Sequence, residues 1–243
     1  KKHSSLELRG FHSHIGSQIF ETEPFAIAAE RLIELLAKYN EEFGQQLPEL
    51  DLGGGYGIAY VDGESEIHAA DVLSALASQV KKVCAKYSLD VPKISIEPGR
   101  AIVGPTTFTL YEVGTTKDVV LEDGKTRRYI SVDGGMSDNI RPSLYDAEYH
   151  AVIAHRASSA AAINSRVVGK HCETGDIIIR EIDLPEDIVP GDLLAVPATG
   201  AYGRSMASNY NHVPRPSVVA VKDGKARVIV RRESIEDLLA LDI

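Results

Sequence analysis

The sequence lacks several features that would assign it to whole classes of protein. Its 243 residues include only two cysteines, too few for a disulfide framework, and no apolar run is long enough to span a bilayer. Basic residues are outnumbered 26 to 35, and the resulting net charge of −9 argues against nucleic acid or an anionic membrane as the main partner. The chain does not open with a secretory pattern, so a reducing cytoplasm is the expected location.

The first part of the sequence alternates between strand and helix patterns. Strands are predicted at 6–15, 50–52 and 93–96, and long amphipathic helices at 25–43 and 67–87. Thr22 is the expected cap of the first helix and Gly44 its end. The helix residues expected to be buried are Ile27, Leu32, Leu35, Leu36, Tyr39, Ile67, Val72, Leu73, Leu76, Val80 and Val83. Such βα units imply parallel strands, and three of them could be the last part of a closed barrel.

After Pro105 the pattern changes to short β-type runs separated by turn residues. The runs lie at 107–113, 128–132, 176–181, 193–196, 217–221 and 227–230. A terminal helix at 234–241 has Ser234 as its cap and Asp237 three residues later. The predicted fold class is therefore α/β plus β. Residues 1–105 are expected to be the C-terminal part of a cofactor-binding α/β barrel, and residues 106–243 a mostly antiparallel β domain that supplies substrate and dimer-site residues.

The first predicted strand ends in a polar segment, residues 12–17. Alternation places His12 and His14 on one face of the strand. A histidine at the carboxyl end of a strand can stack on a flat ring or act as an acid or base, and a hydrogen-bonded core histidine is the alternative, which suits His12 better. Ser17 then offers a hydroxyl to an anion.

The second strand is followed directly by Gly53, Gly54 and Gly55. Without a Cβ, their backbone amides can approach an anion closely, and phosphate is the usual guest. A purely structural glycine turn is the alternative, because glycine runs often mark turns only.

The third strand leads into Glu97-Pro98-Gly99-Arg100. Pro98 cannot donate to a strand ladder, so the strand ends near Glu97, and Gly99 is expected to let the chain turn sharply. An acid and a guanidinium are thus held together at the carboxyl end of a strand, where α/β enzymes usually place their sites. A surface salt bridge is the alternative.

Three further motifs lie in the second part of the chain. Arg141, in the glycine-rich segment 133–142, suits bidentate binding of a carboxylate, and Tyr145 follows four residues later. Cys172 beside Glu173 offers a thiol that could donate a proton or act as a nucleophile. No metal is expected there, because no second Cys or His lies at ligand spacing. Tyr202 presents a hydroxyl that could bond a phosphate. The alternatives are a solvated arginine, an inert thiol and a packed aromatic.

In their order along the chain, these motifs resemble the pyridoxal-phosphate-dependent amino acid decarboxylases built on an alanine-racemase-like barrel. Segments 133–142 and 171–176 are most similar to the branch that decarboxylates diaminopimelate. The resemblance implies that pyridoxal 5′-phosphate is bound by His14, Ser17, Gly53, Gly54, Gly55, Glu97, Gly99 and Tyr202. It also implies that His14 stacks on the ring, that Glu97 keeps the ring nitrogen protonated, and that Cys172 reprotonates the carbanion.

The same resemblance implies a small-molecule substrate with charged groups at both ends. Arg100, Arg141 and Tyr145 would bind its distal carboxylate, and Glu173 its distal ammonium. meso-2,6-Diaminopimelate meets this requirement and would yield L-lysine and CO2, whereas ornithine or lysine would not need the arginines. In this family the Cys-Glu pair comes from the second subunit, which implies a homodimer with shared active sites.

One family feature is missing from the sequence, namely the lysine on an early strand that forms the Schiff base with the cofactor. Because the chain also begins without methionine, it is expected to be the C-terminal part of a longer enzyme. Three alternatives stay open: a decarboxylase of arginine or ornithine, a non-catalytic relative that binds protein partners, and a phosphate-binding βα-barrel isomerase. The isomerase would leave the β domain unexplained.

Overall fold

The computed structural model describes residue 3, residues 5–65 and residues 67–243. The chain divides into two compact units. The first comprises Lys1–Ala59 and Gly63–Gly104, and the second comprises Tyr60–Asp62 and Pro105–Ile243. No helix in the described part of the chain is both long enough and apolar enough to cross a membrane.

The first unit is built around a three-stranded parallel sheet with the order β1-β2-β3. Its strands are β1 (Gly10–His12), β2 (Glu49–Asp51) and β3 (Lys93–Ser95). Helix α1 (Glu23–Phe43) connects β1 to β2, and helix α2 (Ala69–Lys86) connects β2 to β3. The parallel βα arrangement predicted from the sequence is confirmed for these three strands, although each is shorter than predicted or shifted. Closure of a barrel stays a prediction.

Helix α1 ends as predicted, at Gly44, which has a left-handed φ of 62°. Thr22 lies at the N-cap, but its side chain makes no capping hydrogen bond. The predicted apolar face is partly wrong, because Ile27 and Leu35 are 45% and 44% exposed. The residues of α1 that are buried instead follow a spacing of three and four: Phe25, Ala28, Ala29, Ile33 and Leu36.

Helix α2 begins at Ala69, two residues later than predicted. The residues on its buried face are Val72, Leu76, Val80, Val83 and Cys84, whereas Leu73, predicted to be buried, is 43% exposed. These side chains form one cluster with Phe25, Ala29, Ile33 and Leu36 of α1 and with Leu50 of the central strand. Burial of each large aliphatic side chain contributes about 1.5–3 kcal/mol, so this cluster fixes the sheet whose strand ends carry the polar residues.

The second unit contains a six-stranded sheet with the order β6-β9-β4-β5-β7-β8 and a separate hairpin, β10-β11. The bounds are β4 (Thr109–Val120), β5 (Thr126–Val132), β6 (Val152–Ile153), β7 (Ala162–Val168), β8 (Ile177–Pro185), β9 (Leu193–Val196), β10 (Val218–Lys222) and β11 (Lys225–Val230). All neighbours in the large sheet are antiparallel except β5 and β7. The prediction of a mostly antiparallel β region is confirmed, but β6 and β7 were not predicted.

The described residues also form three short α-helices, α3 (Gly99–Val103), α4 (Arg141–Tyr145) and α5 (Ile235–Leu239), and two short 3-10 helices, Gly104–Thr106 and Tyr210–His212. The terminal helix α5 has the predicted capping box, in which Ser234 and Asp237 bond each other's backbone amides. Helices α3 and α4 lie within motifs that the sequence presented only as turn or loop, and each positions an arginine.

Candidate active site

In the first unit, the carboxyl ends of the three parallel strands bring His12, Asp51 and Glu97 together. One ligand-type atom of each lies within 4.8 Å of the others, and His12 Nε2 is 3.1 Å from Glu97 Oε2. The side chains of His12 and Glu97 are 51% and 55% exposed, so the alternative of a core histidine is wrong for His12. Among the described residues, this cluster is also the one group of side chains that could hold a metal ion.

The glycine run Gly53–Gly55 lies where the backbones of neighbouring segments approach most closely. An ideal Cβ on each glycine would lie only 2.1 to 2.3 Å from a carbonyl oxygen, that of Ser13, Glu97 and Gly16 respectively. Gly53 and Gly55 also have positive φ angles, 69° and 106°. No other residue type fits here without moving the backbone. The three glycines are therefore required for the close packing of the backbone, in addition to any part they have in binding an anion.

Two of the glycine amides already have partners within the unit. The amide of Gly53 donates to Asp51 Oδ1 at 2.9 Å, and that of Gly54 donates to His14 Nδ1 at 3.4 Å. The second bond orients the ring of His14 through its Nδ1 acceptor, while the residue as a whole stays exposed. His14 is thus oriented by the backbone of the adjacent strand end.

Arg100 lies on helix α3, which begins immediately after Pro98. Its Nη2 donates to Ser17 Oγ at 2.6 Å, so two residues predicted for different roles lie together. The sharp turn predicted at Gly99 is wrong, because Gly99 is the first residue of α3 and a Cβ there would meet nothing within 4 Å. A cation and a hydroxyl at one point form a suitable site for a phosphate or a carboxylate.

In the second unit, Arg141 is 7% exposed and surrounded by tyrosines. Its Nη1 donates to the hydroxyl of Tyr149 at 2.5 Å. The guanidinium carbon lies 4.6 Å from the ring centre of Tyr60, 5.5 Å from that of Tyr149 and 6.0 Å from that of Tyr202. No carboxylate in the described part of the chain pairs with this guanidinium. The alternative of a solvated arginine is therefore wrong.

Two neighbouring tyrosines were predicted as site residues. Tyr145 is the last residue of α4 and is 62% exposed, so it shares a helix with Arg141 but not its burial. Tyr202 is 43% exposed and has a φ of 63°, a left-handed backbone conformation that non-glycine residues adopt rarely. Strain of this kind is found most often at functional sites.

The glycine-rich loop before Arg141 is held by a buried tyrosine–aspartate pair. Tyr111 donates to Asp138 Oδ2 at 2.5 Å, and the amide of Gly135 donates to Asp138 Oδ1 at 2.8 Å. Burial raises the pKa of Asp138 above its usual value, although these hydrogen bonds oppose the change. A Cβ on Gly134 would lie 2.2 Å from the Tyr111 ring, so this glycine lets the loop pass over the aromatic side chain.

The turn that carries Cys172 and Glu173 is joined to this loop by Asp176. This aspartate is 3% exposed, and it accepts hydrogen bonds from the amides of Met136 at 2.6 Å and His171 at 2.7 Å. Cys172 itself is exposed, so the inert buried thiol considered as an alternative is wrong. The structure thus connects segments 133–142 and 171–176, which the sequence presented as separate motifs.

The residues that contact predicted site residues but were not found from the sequence include Asp51, Tyr60, Tyr149 and Tyr210. Tyr60 and Tyr149, which surround Arg141 together with Tyr202, lie in segments outside the motifs that the sequence presents. One weak signal is composition, since 10 of the 15 aromatic residues are tyrosine and none is tryptophan.

The chain matches two family profiles. Residues 1–104 match the pyridoxal-binding domain of the pyridoxal-dependent decarboxylases, and residues 71–200 match the C-terminal sheet domain of the pyridoxal-dependent decarboxylases. The second match alone covers more than half of the chain.

Named relatives and solved structures agree with these profiles. Diaminopimelate decarboxylase of Corynebacterium efficiens is 52% identical over 98% of this chain and 52% of that protein, and the enzyme of Bacillus subtilis is 46% identical over 98% and 53%. A crystal structure of diaminopimelate decarboxylase from Helicobacter pylori complexed with L-lysine has a TM-score of 0.83 at 34% identity, covering 98% of this chain and 55% of that one. The chain spans about half the length of the curated relatives it matches. On these matches, the chain belongs to the pyridoxal-dependent decarboxylase family.

Proposed function

We propose that this chain is part of a pyridoxal 5′-phosphate-dependent carboxy-lyase that converts meso-2,6-diaminopimelate into L-lysine and CO2, the last step of lysine biosynthesis. Two kinds of support favour this substrate. The relatives of about half identity carry that activity in their names, and a similar solved structure holds L-lysine. The observation that carries the proposal is the buried guanidinium of Arg141.

A guanidinium that is almost fully buried is costly unless an anion compensates it. The tyrosine rings around Arg141 offset part of this cost through cation–π contacts. A ligand carboxylate would supply the rest through two parallel hydrogen bonds. Diaminopimelate has a second carboxylate at its distal end, whereas ornithine has none, and this difference favours diaminopimelate over other basic amino acids.

The residues at the carboxyl edge of β1–β3 fit the chemistry of pyridoxal phosphate. Arg100 and Ser17, joined at 2.6 Å, offer a cation and a hydroxyl to its phosphate. Glu97 offers a carboxylate to a protonated ring nitrogen. The glycine run Gly53–Gly55 packs directly against the backbone of Ser13, Glu97 and Gly16, so it allows the strand ends that would face the cofactor to lie side by side. When bound, the cofactor supplies an electron sink for the carbanion left at Cα by the loss of CO2.

The chain's own residues would have separate tasks in this reaction. Glu97 keeps a proton on the ring nitrogen, because a neighbouring negative charge favours the protonated form. His14 orients the ring by stacking on it. The Sγ–H of Cys172 donates its proton to Cα after the Cα–carboxylate bond has broken, and solvent then restores the thiol.

The distal end of the substrate would be held by opposite charges. Arg141, with Tyr145, binds the distal carboxylate, and Glu173 binds the distal ammonium. The resemblance assigns Arg100 to the same carboxylate, but its hydrogen bond to Ser17 favours the phosphate instead. Tyr202 and Gly99 are proposed to contact the cofactor phosphate. The active species is proposed to be a homodimer in which Cys172 and Glu173 serve the site of the partner subunit.

The function is tested by measuring CO2 release from full-length protein saturated with pyridoxal phosphate. We expect release from meso-diaminopimelate and little from L-ornithine or L-arginine. No release from diaminopimelate would refute the proposal. The shared site is tested by mixing two inactive full-length variants, Glu97→Ala and Cys172→Ala: subunit exchange should restore part of the activity, and no restoration would contradict the shared arrangement.

A further inference from the structure

The turn that carries Glu173 is held by a third segment, around Ser208 and Tyr210. The amide of Ser208 donates to the carbonyl oxygen of Ser137 at 2.8 Å, which attaches this segment to the loop before Arg141. The hydroxyl of Tyr210 donates to Glu173 Oε1 at 2.5 Å. The segment therefore reaches the one carboxylate that is proposed to bind the distal ammonium of the substrate.

The ring of Tyr210 is itself fixed by a neighbour. Its edge packs against the ring of His171, with centroids 5.3 Å apart and an interplanar angle of 88°. His171 Nε2 lies 2.8 Å from Ser137 Oγ, and the His171 amide donates to the buried Asp176. A continuous series of contacts therefore runs from Asp176 through His171 and Tyr210 to Glu173.

This arrangement restrains a side chain that would otherwise be mobile. A glutamate held in one rotamer has already lost its side-chain entropy, which an unrestrained Glu173 would lose only when it binds a ligand. Within the described residues, Tyr210 is the hydrogen-bond donor to this carboxylate, and it engages Oε1 alone. The hydrogen bond to Glu173 raises the pKa of Tyr210 above its ordinary value, so the hydroxyl remains a donor at neutral pH.

We propose that Tyr210 is a specificity-determining and positioning residue, whose hydroxyl holds Oε1 of Glu173 so that Oε2 is directed at a second ammonium group on the substrate. The inference rests on the proposed function, in which Glu173 binds the distal ammonium. It adds a residue outside the motifs that the sequence presents.

The test compares Tyr210→Phe with Tyr87→Phe in the full-length holoenzyme. Tyr87 is a matched control, because its hydroxyl donates to Glu34 Oε1 at 3.1 Å between α2 and α1. The substrates are meso-diaminopimelate and 2-aminopimelate, which keeps the distal carboxylate but lacks the distal ammonium. We expect Tyr210→Phe to lower the ratio of the two kcat/KM values about tenfold, mainly through KM for diaminopimelate, as for loss of a hydrogen bond to a charged group.

Tyr87→Phe should leave the ratio unchanged. An unchanged ratio in Tyr210→Phe would overturn the inference, whether both substrates lose activity equally or neither does. An equal loss on both would show a merely structural role. If Tyr210→Phe is insoluble, Ser137→Ala frees His171 from its hydroxyl partner and should lower the same ratio to a smaller extent. An unchanged ratio in that variant would count against the inference.

A binding measurement separates this inference from the proposed function. L-Lysine keeps the distal amino acid group of the substrate, and 6-aminohexanoate lacks its α-ammonium. By calorimetry, Tyr210→Phe should weaken L-lysine binding about tenfold and leave 6-aminohexanoate binding unchanged. If the wild type releases no CO2, the proposed function fails, but the binding ratio still decides the role of Tyr210. L-Lysine binding that is absent in the wild type, or unaffected by Tyr210→Phe, overturns the inference about Tyr210.

Discussion

Replacement of Asp176 by asparagine should separate the two loops that carry the site residues of the second unit. Each carboxylate oxygen accepts one backbone hydrogen bond, Oδ1 from Met136 at 2.6 Å and Oδ2 from His171 at 2.7 Å. The carboxylate is also enclosed by glycines, since a Cβ on Gly169 would lie 2.2 Å from Oδ2 and one on Gly135 would lie 2.7 Å from Oδ1. The side chain cannot turn to avoid a mismatch.

The magnitude follows from these two bonds. In Asp176→Asn, whichever way the amide is placed, one backbone N–H faces an NH2 group instead of an oxygen. One charge-assisted hydrogen bond is lost and one buried donor is left unpaired, which together cost about 3 kcal/mol. A chain of 243 residues would lose roughly 6–12 °C in Tm, and a protein of the relatives' length, about twice as long, roughly half of that.

The assay is thermal unfolding of the full-length protein, followed by circular dichroism. Asp118→Asn is the matched control, because Asp118 also accepts two bonds, from Arg128 at 2.6 and 2.8 Å, but its side chain is 46% exposed. Exposed pairs contribute about 0–1 kcal/mol, so this control should barely change Tm. The reasoning is refuted if the two variants unfold at the same temperature.

Three other positions in the two units can be tested in the same way. Arg141→Lys keeps the charge but loses the planar fork, so KM for diaminopimelate should rise by about tenfold or more with a smaller change in kcat; an unchanged KM would contradict the assigned role. Gly54→Ala places a Cβ 2.3 Å from a backbone oxygen and should lower Tm strongly or abolish folding, whereas Gly99→Ala, with nothing within 4 Å, should leave Tm unchanged or raise it. Hydrogen bonds from Arg215 lower the pKa of Glu233 to about 2 from its ordinary 4.5, so its stabilising contribution is complete above pH 4.5 and is lost as the pH falls towards 2. Urea midpoints of wild type and Glu233→Gln should converge across that window, and a constant difference between them would exclude the pair as the cause.

The sequence predicted best those elements whose cause is local. The Gly44 helix end and the Ser234 capping box depend on residues within one turn of each other, and both are confirmed. Strand β7 was missed because its centre, Asn164, Ser165 and Arg166, is polar in sequence, although Ser165 is fully buried where β7 pairs with β5 and β8. The exposed side chains of Ile27 and Leu35 were misassigned because helix periodicity alone does not say which of several apolar stripes faces the sheet.

The site residues also divide into those with a local sequence signal and those set by contacts between distant parts of the chain. Those of the first unit could be found because each directly follows a strand, and parallel strands end at one edge. The contacts of the second unit join residues far apart in the chain, such as Tyr210 with Glu173, 37 residues away, and Asp176 with Met136, 40 residues away. No local pattern requires these pairings, so Arg141 could be predicted as a ligand-binding residue but its burial could not.

The two arginines of the proposed site are prepared for a ligand in opposite ways. Arg141 is buried, held by Tyr149 and the surrounding rings, and without a carboxylate among the described residues, so an incoming carboxylate gains a partner whose orientation is already fixed. Arg100 donates to Ser17, a hydroxyl that can rotate and accept or donate as a ligand requires. A rigid charge suits recognition of the distal carboxylate, which distinguishes one substrate from another. An adaptable pair of cation and hydroxyl suits the cofactor phosphate, which is the same whichever substrate is bound. The structural difference between the arginines therefore supports assigning substrate selection to Arg141 and a shared role at the phosphate to Arg100.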